Sequence, residues 1–215
     1  MTTNLSYIVY PNAELGEAVR IGEFSVVGRP ARPSSPPLPS PLANPKAATV
    51  VGEQTYIGTH VLIEQGVRIG HSCVIESYCV LEANATIGRN CFIVHGARVC
   101  GDSTVGDNCV VGGFVAERSQ VGSHCRMLGR LLHRHLDPTT LWDAYVEPAP
   151  ILEDNVFVAL TATIIGNVRI SHHVYITAGS IVTRSVPSYH VVHGTNRICP
   201  VSDWPGPLRD SPFWR

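Results

Sequence analysis

The chain has 215 residues, a formal net charge of -1 and 44 % hydrophobic residues. That length suits one folded core with a tail. A near-neutral charge leaves no basic stripe to displace phosphate counterions, which excludes a nucleic-acid binder, and no segment approaches the roughly 20 apolar residues of a membrane span.

Met1 to Tyr10 has no basic start and no long apolar run, so no signal peptide is expected and the expected setting is cytoplasmic. A hexad pattern begins there. Val9 with Ala13, Leu15 with Val19 and Ile21 with Ser25 each place a small or β-branched residue four positions after an aliphatic one. The pattern breaks over 29–47, where Pro30, Pro33, Pro36, Pro37, Pro39, Pro41 and Pro45 withdraw the donors a strand ladder needs. This stretch is expected to be a loop extruded from the fold, either a spacer or an arm over a neighbouring subunit or a cleft.

From Val51 to Val111 an aliphatic residue returns at every sixth position: Val51, Ile57, Ile63, Ile69, Ile75, Leu81, Ile87, Ile93, Val99, Val105 and Val111. Six fits neither the 3.6 period of a helix nor strand alternation. It fits a solenoid of very short strands in which three hexads close one turn of about 18 residues, with the aliphatic and small positions both pointing inward. Gly52, Gly58, Gly70, Gly88, Gly106 and Gly112 follow the aliphatic residue and are expected to supply an unusual φ at tight corners. Cys73, Cys79, Cys91, Cys109 and Cys125 all fall in the small inward slot, so they read as core residues rather than zinc ligands, nucleophiles or disulfide partners.

After Val111 the register slips by two, to Val115 with Ser119 and Val121 with Cys125. After Met127 the pattern is expected to stop, making 129–150 a second extruded loop with His133, His135, Asp137, Trp142 and Tyr145. Hexads resume at Leu152 with Val156 and run to Val182 with Val186. These boundaries give one repeat domain over 1–186 and, over 187–215, a tail with Trp204, Phe213 and Trp214 that is expected to cap the open end of the stack.

The stretches IGTHVLIEQGVRIGHSCVI and PAPILEDNVFVALTATIIGNVRISHHVYITAGSIVTRSVPSYHVVHGTNR, with the excursion between the ladder and the second block, resemble the hexapeptide-repeat acyltransferases. The resemblance covers about Val9 to Arg197 and implies an all-β fold, the left-handed parallel β-helix. AGSIVTRSVP, from Ala178 to Pro187, is similar to the C-terminal signature of acetyl-CoA-dependent members that act on sugars and other small polar acceptors. The resemblance also implies a homotrimer with active sites between adjacent subunits, acetyl-CoA as acyl donor and no metal.

Acyl transfer from a thioester needs a base for the acceptor's proton and a slot for the carrier, and histidine is the natural base near neutral pH. Register places His60, His71, His124, His172 and His173 outward at corners. His95 stands in IVHGARV ahead of the excursion and is a candidate acceptor-site residue. By the family's spacing back from Phe157, His133 is the leading candidate base and His135 the second, with Asp137, Trp142 and Tyr145 as candidate acceptor contacts. Matched positions place Phe157, Ala159, Ala178 and Gly179 along the pantetheine, and Arg184 and Arg197 at the nucleotide phosphates. Thr177 stands where the family has a glycine, and Arg197 closes GTNR where the family has GNPA. Two other readings use the same solenoid: a zinc lyase of the γ-carbonic anhydrase type with His95, His133 and His135 as ligands, and a non-catalytic scaffold.

Overall fold

The computed structural model describes residues 7–30, 48–134 and 147–214. Strands of two to four residues stack into three sheets of nine, eight and ten strands, and successive strands of the chain pass from first to second to third sheet. All pairings are parallel except one hairpin at the C-terminal end. This is the all-β solenoid expected from the hexads, with the left-handed parallel β-helix that the family resemblance implies.

The hexad explains the geometry. Each side of the triangle offers one inward aliphatic residue, and the small residue four places later fills the corner beside the next one. Ile57, Ile75, Ile93 and Val111 stack in the third sheet and are fully buried. Between turns the backbone is bonded continuously, as in Val74 N–H to the Cys91 carbonyl at 2.9 Å and Glu76 N–H to the Ile93 carbonyl at 2.9 Å. Each fully buried aliphatic side chain contributes about 1.5–3 kcal/mol by leaving water, so a column repeated turn after turn replaces a conventional core.

The small slot also carries hydrogen bonds. Ser25 Oγ donates to the Gly58 carbonyl at 2.7 Å, Ser103 Oγ to Ala116 at 2.8 Å, and the thiols of Cys73, Cys91 and Cys109 to Gly88, Gly106 and Gly122 at 3.1 Å each. The cysteines therefore stand in for serine as buried donors to the next turn. Hydrogen bonding with the neighbouring ladder thiols (Cys91 beside Cys73, Cys125 and Cys91 beside Cys109), together with burial, raises both groups and holds them as thiols.

The corner glycines work differently from the expectation. The left-handed residues are non-glycine and lie two places after them: Gln54 (φ 57), Ser72 (φ 57), Asn90 (φ 55) and Asn108 (φ 58). Gly70 is required by close approach instead, since a Cβ there would sit 2.6 Å from Arg89 N on the next turn. A flat stack of about 4.8 Å per turn leaves no room for a side chain at that point.

The slip after Val111 is a shortened corner. Arg98 pairs with Phe114 and Val99 with Val115, a turn of sixteen residues in place of eighteen. Gly113 (φ 127) makes the tight bend, and a Cβ on it would overlap the Gly129 carbonyl. The same shortening recurs one turn later, where Arg130 pairs with Phe114 and Leu131 with Val115. The ladder therefore does not stop at Met127: Arg130–Leu132 is a strand of the first sheet with Leu131 fully buried. Two consecutive slips hid it in the sequence, and the loop expected over 129–150 leaves the fold only after this strand.

At the C-terminal end the third sheet continues into the tail. His190–His193 pairs in parallel with Tyr175–Ile176, and Arg197–Pro200 folds back antiparallel. This hairpin ends the third sheet, with Val191 and Val192 buried, so packing crosses the boundary expected at 186. The remaining tail lies against the side of the stack, with the Phe213 ring 6.4 Å from that of His173.

Candidate functional site

Both interruptions leave the solenoid at the same corner, between the first and second sheets: one after Val26–Arg29, the other after Arg130–Leu132. Along this corner runs a file of carboxylates. Glu64 accepts from Arg29 at 2.6 Å and from Ala83 N–H at 3.1 Å. One turn on, Glu82 accepts from Arg98 Nε at 2.7 Å and Gly101 N–H at 3.3 Å. Two turns further, Glu117 is half-buried, with Arg118 Nη2 at 3.8 Å. Burial raises its carboxyl above the usual range against the pull of Arg118.

Val115 pairs with Leu131, so Glu117 and His133 hold the same place on successive turns. Neighbouring strands stack roughly 5 Å apart, so the two residues follow each other at that spacing along the corner. Both ring nitrogens of His133 are buried, as is Glu147 Oε2 where the second interruption returns. Arg134, directly after His133, lines a cleft of about 240 Å3 with Glu147, Pro148, Ile165, Gly166, Asn167, Val168 and Thr183.

His95 is elsewhere. It is exposed at the corner between the third and first sheets, where the rings of Phe24, His60, Tyr78 and His95 form a file with centroids 4.9, 5.0 and 5.2 Å apart. Its backbone N–H donates to Glu76 at 2.7 Å. The structure does not bring it to His133. His135, Asp137, Trp142 and Tyr145 lie outside the described residues.

The residues matched to the coenzyme follow the third sheet and its corner with the first. Phe157 and Tyr175 face outward with ring centroids 5.2 Å apart. Ala159 is buried, Leu160 beside it is 64 % exposed, and Ala178 and Gly179 (φ 70) form the corner one turn later. A Cβ on Gly179 would meet nothing nearer than Thr161 Oγ1 at 4.0 Å, so this shelf is open. Arg184 is separate, at the corner between the first and second sheets, where it donates to the Asn196 carbonyl. Arg197 starts the last strand of the hairpin, opposite His193.

Among the corner histidines, His172 and His173 pack with Tyr189 rather than standing free. Their Nδ1 atoms are 3.0 Å apart, and the His173 ring stacks on Tyr189 at 5.1 Å. Among the described residues no group of three His, Cys, Asp or Glu is placed to hold a metal ion, and no helix is long and apolar enough to cross a membrane.

The sequence reading missed Glu117, Arg134, Asn167 and Thr183. Glu117 was findable: it precedes His133 by sixteen residues, the length of the shortened turn, once the slip is applied twice.

No family model matches the chain. A UDP-N-acetylglucosamine acyltransferase from Campylobacter jejuni superposes with a TM-score of 0.58 at 16 % identity, covering 90 % of this chain and 71 % of that one. The Francisella novicida UDP-N-acetylglucosamine acyltransferase gives a TM-score of 0.55 at 20 % identity, over 88 % and 64 %. At these identities the likeness shows the fold. Serine acetyltransferase from Staphylococcus aureus is 47 % identical over 45 residues, and the match spans 21 % of this chain and 21 % of that enzyme.

Proposed function

We propose that the chain is an acyltransferase that moves an acetyl or other short acyl group from acyl-CoA to a hydroxyl or amine of a small polar acceptor. The observation that carries this reading is the place of His133. It sits where the ladder opens, with both ring nitrogens buried, one turn above Glu117. Two solved structures that share the fold, from Campylobacter jejuni and Francisella novicida, are acyltransferases, and the short match to a serine acetyltransferase agrees in reaction class.

His133 takes the acceptor's proton as the nucleophilic oxygen or nitrogen attacks the thioester carbonyl in a ternary complex. Glu117 is a positioning residue that orients the ring and favours the imidazolium formed on proton transfer. A covalent acyl-enzyme is disfavoured, because six of the seven cysteines are buried. Burial pushes the Cys79 thiol up to about 11, and burial together with Glu82 pushes Cys100 up to about 12.

The open shelf at Ala159, Ala178 and Gly179 fits a slender chain such as pantetheine, with the Phe157 and Tyr175 rings alongside. His133 and this shelf occupy different corners, on the two edges of the first sheet. One chain therefore does not hold base and donor together, which supports a homotrimer whose sites are completed by an adjacent copy. Arg184, matched to the nucleotide phosphates, donates to the Asn196 carbonyl. A cytoplasmic setting suits the use of acyl-CoA.

The test is release of free thiol from acetyl-CoA across a panel of sugars, amino sugars and amino acids, for the wild type and His133→Ala. Loss of at least about 10²-fold in kcat with an unchanged melting temperature is expected. A near wild-type rate in the variant moves the base elsewhere, and calorimetry showing no acetyl-CoA binding favours the scaffold.

A further inference from the structure

We infer that the cleft lined by Arg134, the residue after His133, receives an anionic group, a carboxylate or phosphate carried by the acceptor, and that Arg134, Asn167 and Thr183 are its recognition set. Calling this ligand the acceptor rests on the acyl-transfer reading above; the binding itself does not.

The cleft has about 240 Å3 of space, enough for a charged group and the few carbons that bear it. Arg134 lines it, is exposed, and makes no ion pair among the described residues, whereas Arg29, Arg89, Arg98 and Arg169 all pair with carboxylates. The fold makes room for this side chain specifically. Gly166 (φ 86) lies against it, and a Cβ there would come within 2.9 Å of Arg134 Cβ.

Thr183 is fixed as a donor by its other contacts. Its Oγ1 accepts from Asn196 Nδ2 at 2.8 Å, while Asn196 Oδ1 takes the Thr183 N–H at 2.8 Å. The hydroxyl proton is not used by Asn196 and is available for donation in the cleft that Thr183 lines. The Asn167 amide is a further potential donor in the lining. A guanidinium, a hydroxyl and an amide around one space match the oxygens of a carboxylate or phosphate, and charge-assisted bonds of this kind are the strong ones. Glu147 is the opposing charge in the lining and has an interaction of its own, while Ile165 supplies an apolar wall for the carbon skeleton.

The arrangement gives the acceptor a polarity. Its anion sits on Arg134, and the nucleophile is directed toward the adjacent His133. Neutral acceptors of the same size would lack the anchor and lose orientation at the base.

Calorimetry with matched probes tests this without turnover: glucose against glucuronate, glucosamine against glucosamine 6-phosphate, and inorganic phosphate as competitor, on the full chain and its R134Q and T183V variants. The charged member is expected to bind at least about tenfold tighter than its neutral partner. R134Q should abolish that preference and phosphate competition while leaving the neutral member within about twofold; T183V should lose part of it. Equal affinity within each pair, no binding of any probe, or a preference that survives R134Q overturns the inference. Weakened acetyl-CoA binding in R134Q with acceptor preference intact assigns the arginine to the donor's phosphates and overturns it too. Charge preference without thiol release by any acceptor counts against acyl transfer alone.

Discussion

From Leu62 to Val111 each corner of the solenoid repeats at eighteen residues, and every position has the same neighbours one turn up and down. From Val111 to Leu152 the corner between the third and first sheets shortens twice, and the corner between the first and second then opens. The inward column is continuous through both regions: Val99, Val115, Leu131 and Ile164 succeed each other in the first sheet, all fully buried. The lesson is that the stack tolerates changes in corner length as long as inward residues remain aligned. Corners can therefore be recruited for chemistry while the wall stays rigid. On the proposed function, His133, Glu117 and Arg134 occupy such recruited positions.

Three experiments set the two regions against each other. The largest effect belongs to the regular region. Ile93→Ala removes a fully buried side chain between Ile75 and Val111 and should cost about 2–5 kcal/mol, read as the urea midpoint. A cost below about 1 kcal/mol would mean that neighbouring turns collapse into the space and the wall is not rigid.

Glu117→Gln should do the reverse, lowering kcat by about tenfold while leaving the fold intact. The signs follow from its raised carboxyl. A carboxyl with a folded-state pKa above its unfolded value costs stability as pH rises through that window, so the neutral amide should hold or slightly raise the melting temperature at pH 7. Without a carboxylate one turn before it, the His133 imidazolium is less favoured, and the acidic limb of the kcat/KM profile should move to lower pH. A lower kcat with an unmoved limb would make Glu117 merely structural.

The smallest effect is on the ladder thiols. Cys73, Cys79, Cys91, Cys100, Cys109 and Cys125 are buried, and Cys199 is half-buried. A colorimetric thiol reagent should therefore label about one thiol per native chain and all seven after denaturation. Rapid labelling of several native thiols would show that the turns open locally.

Much of the fold was legible. The hexads from Val51 to Val111 fix the inward residues, the corners and the eighteen-residue turn, because a period of six has no other economical packing. His133 drew attention in the sequence because it lies near a visible break in the period. Leu131 was lost because Leu128 and Gly129 close a corner two residues early, and a reader following the period meets mismatched residues there. Glu117 was lost with it, since its partner lies one turn away and that turn had not been counted.

What the sequence determined by itself was therefore the solenoid, the inward cysteines and the existence of an interruption before Leu152, all of which are properties of local period. The tertiary structure decided what lies one turn above or below each break: Glu117 one turn before His133 in register, Gly166 and Thr183 around Arg134, and the open corner at Ala178 and Gly179 apart from the corner that carries His133. Those relations depend on how many residues each corner consumes. Corner length is set by backbone closure, as at Gly113 against the Gly129 carbonyl, and not by the hydrophobic pattern that the sequence displays.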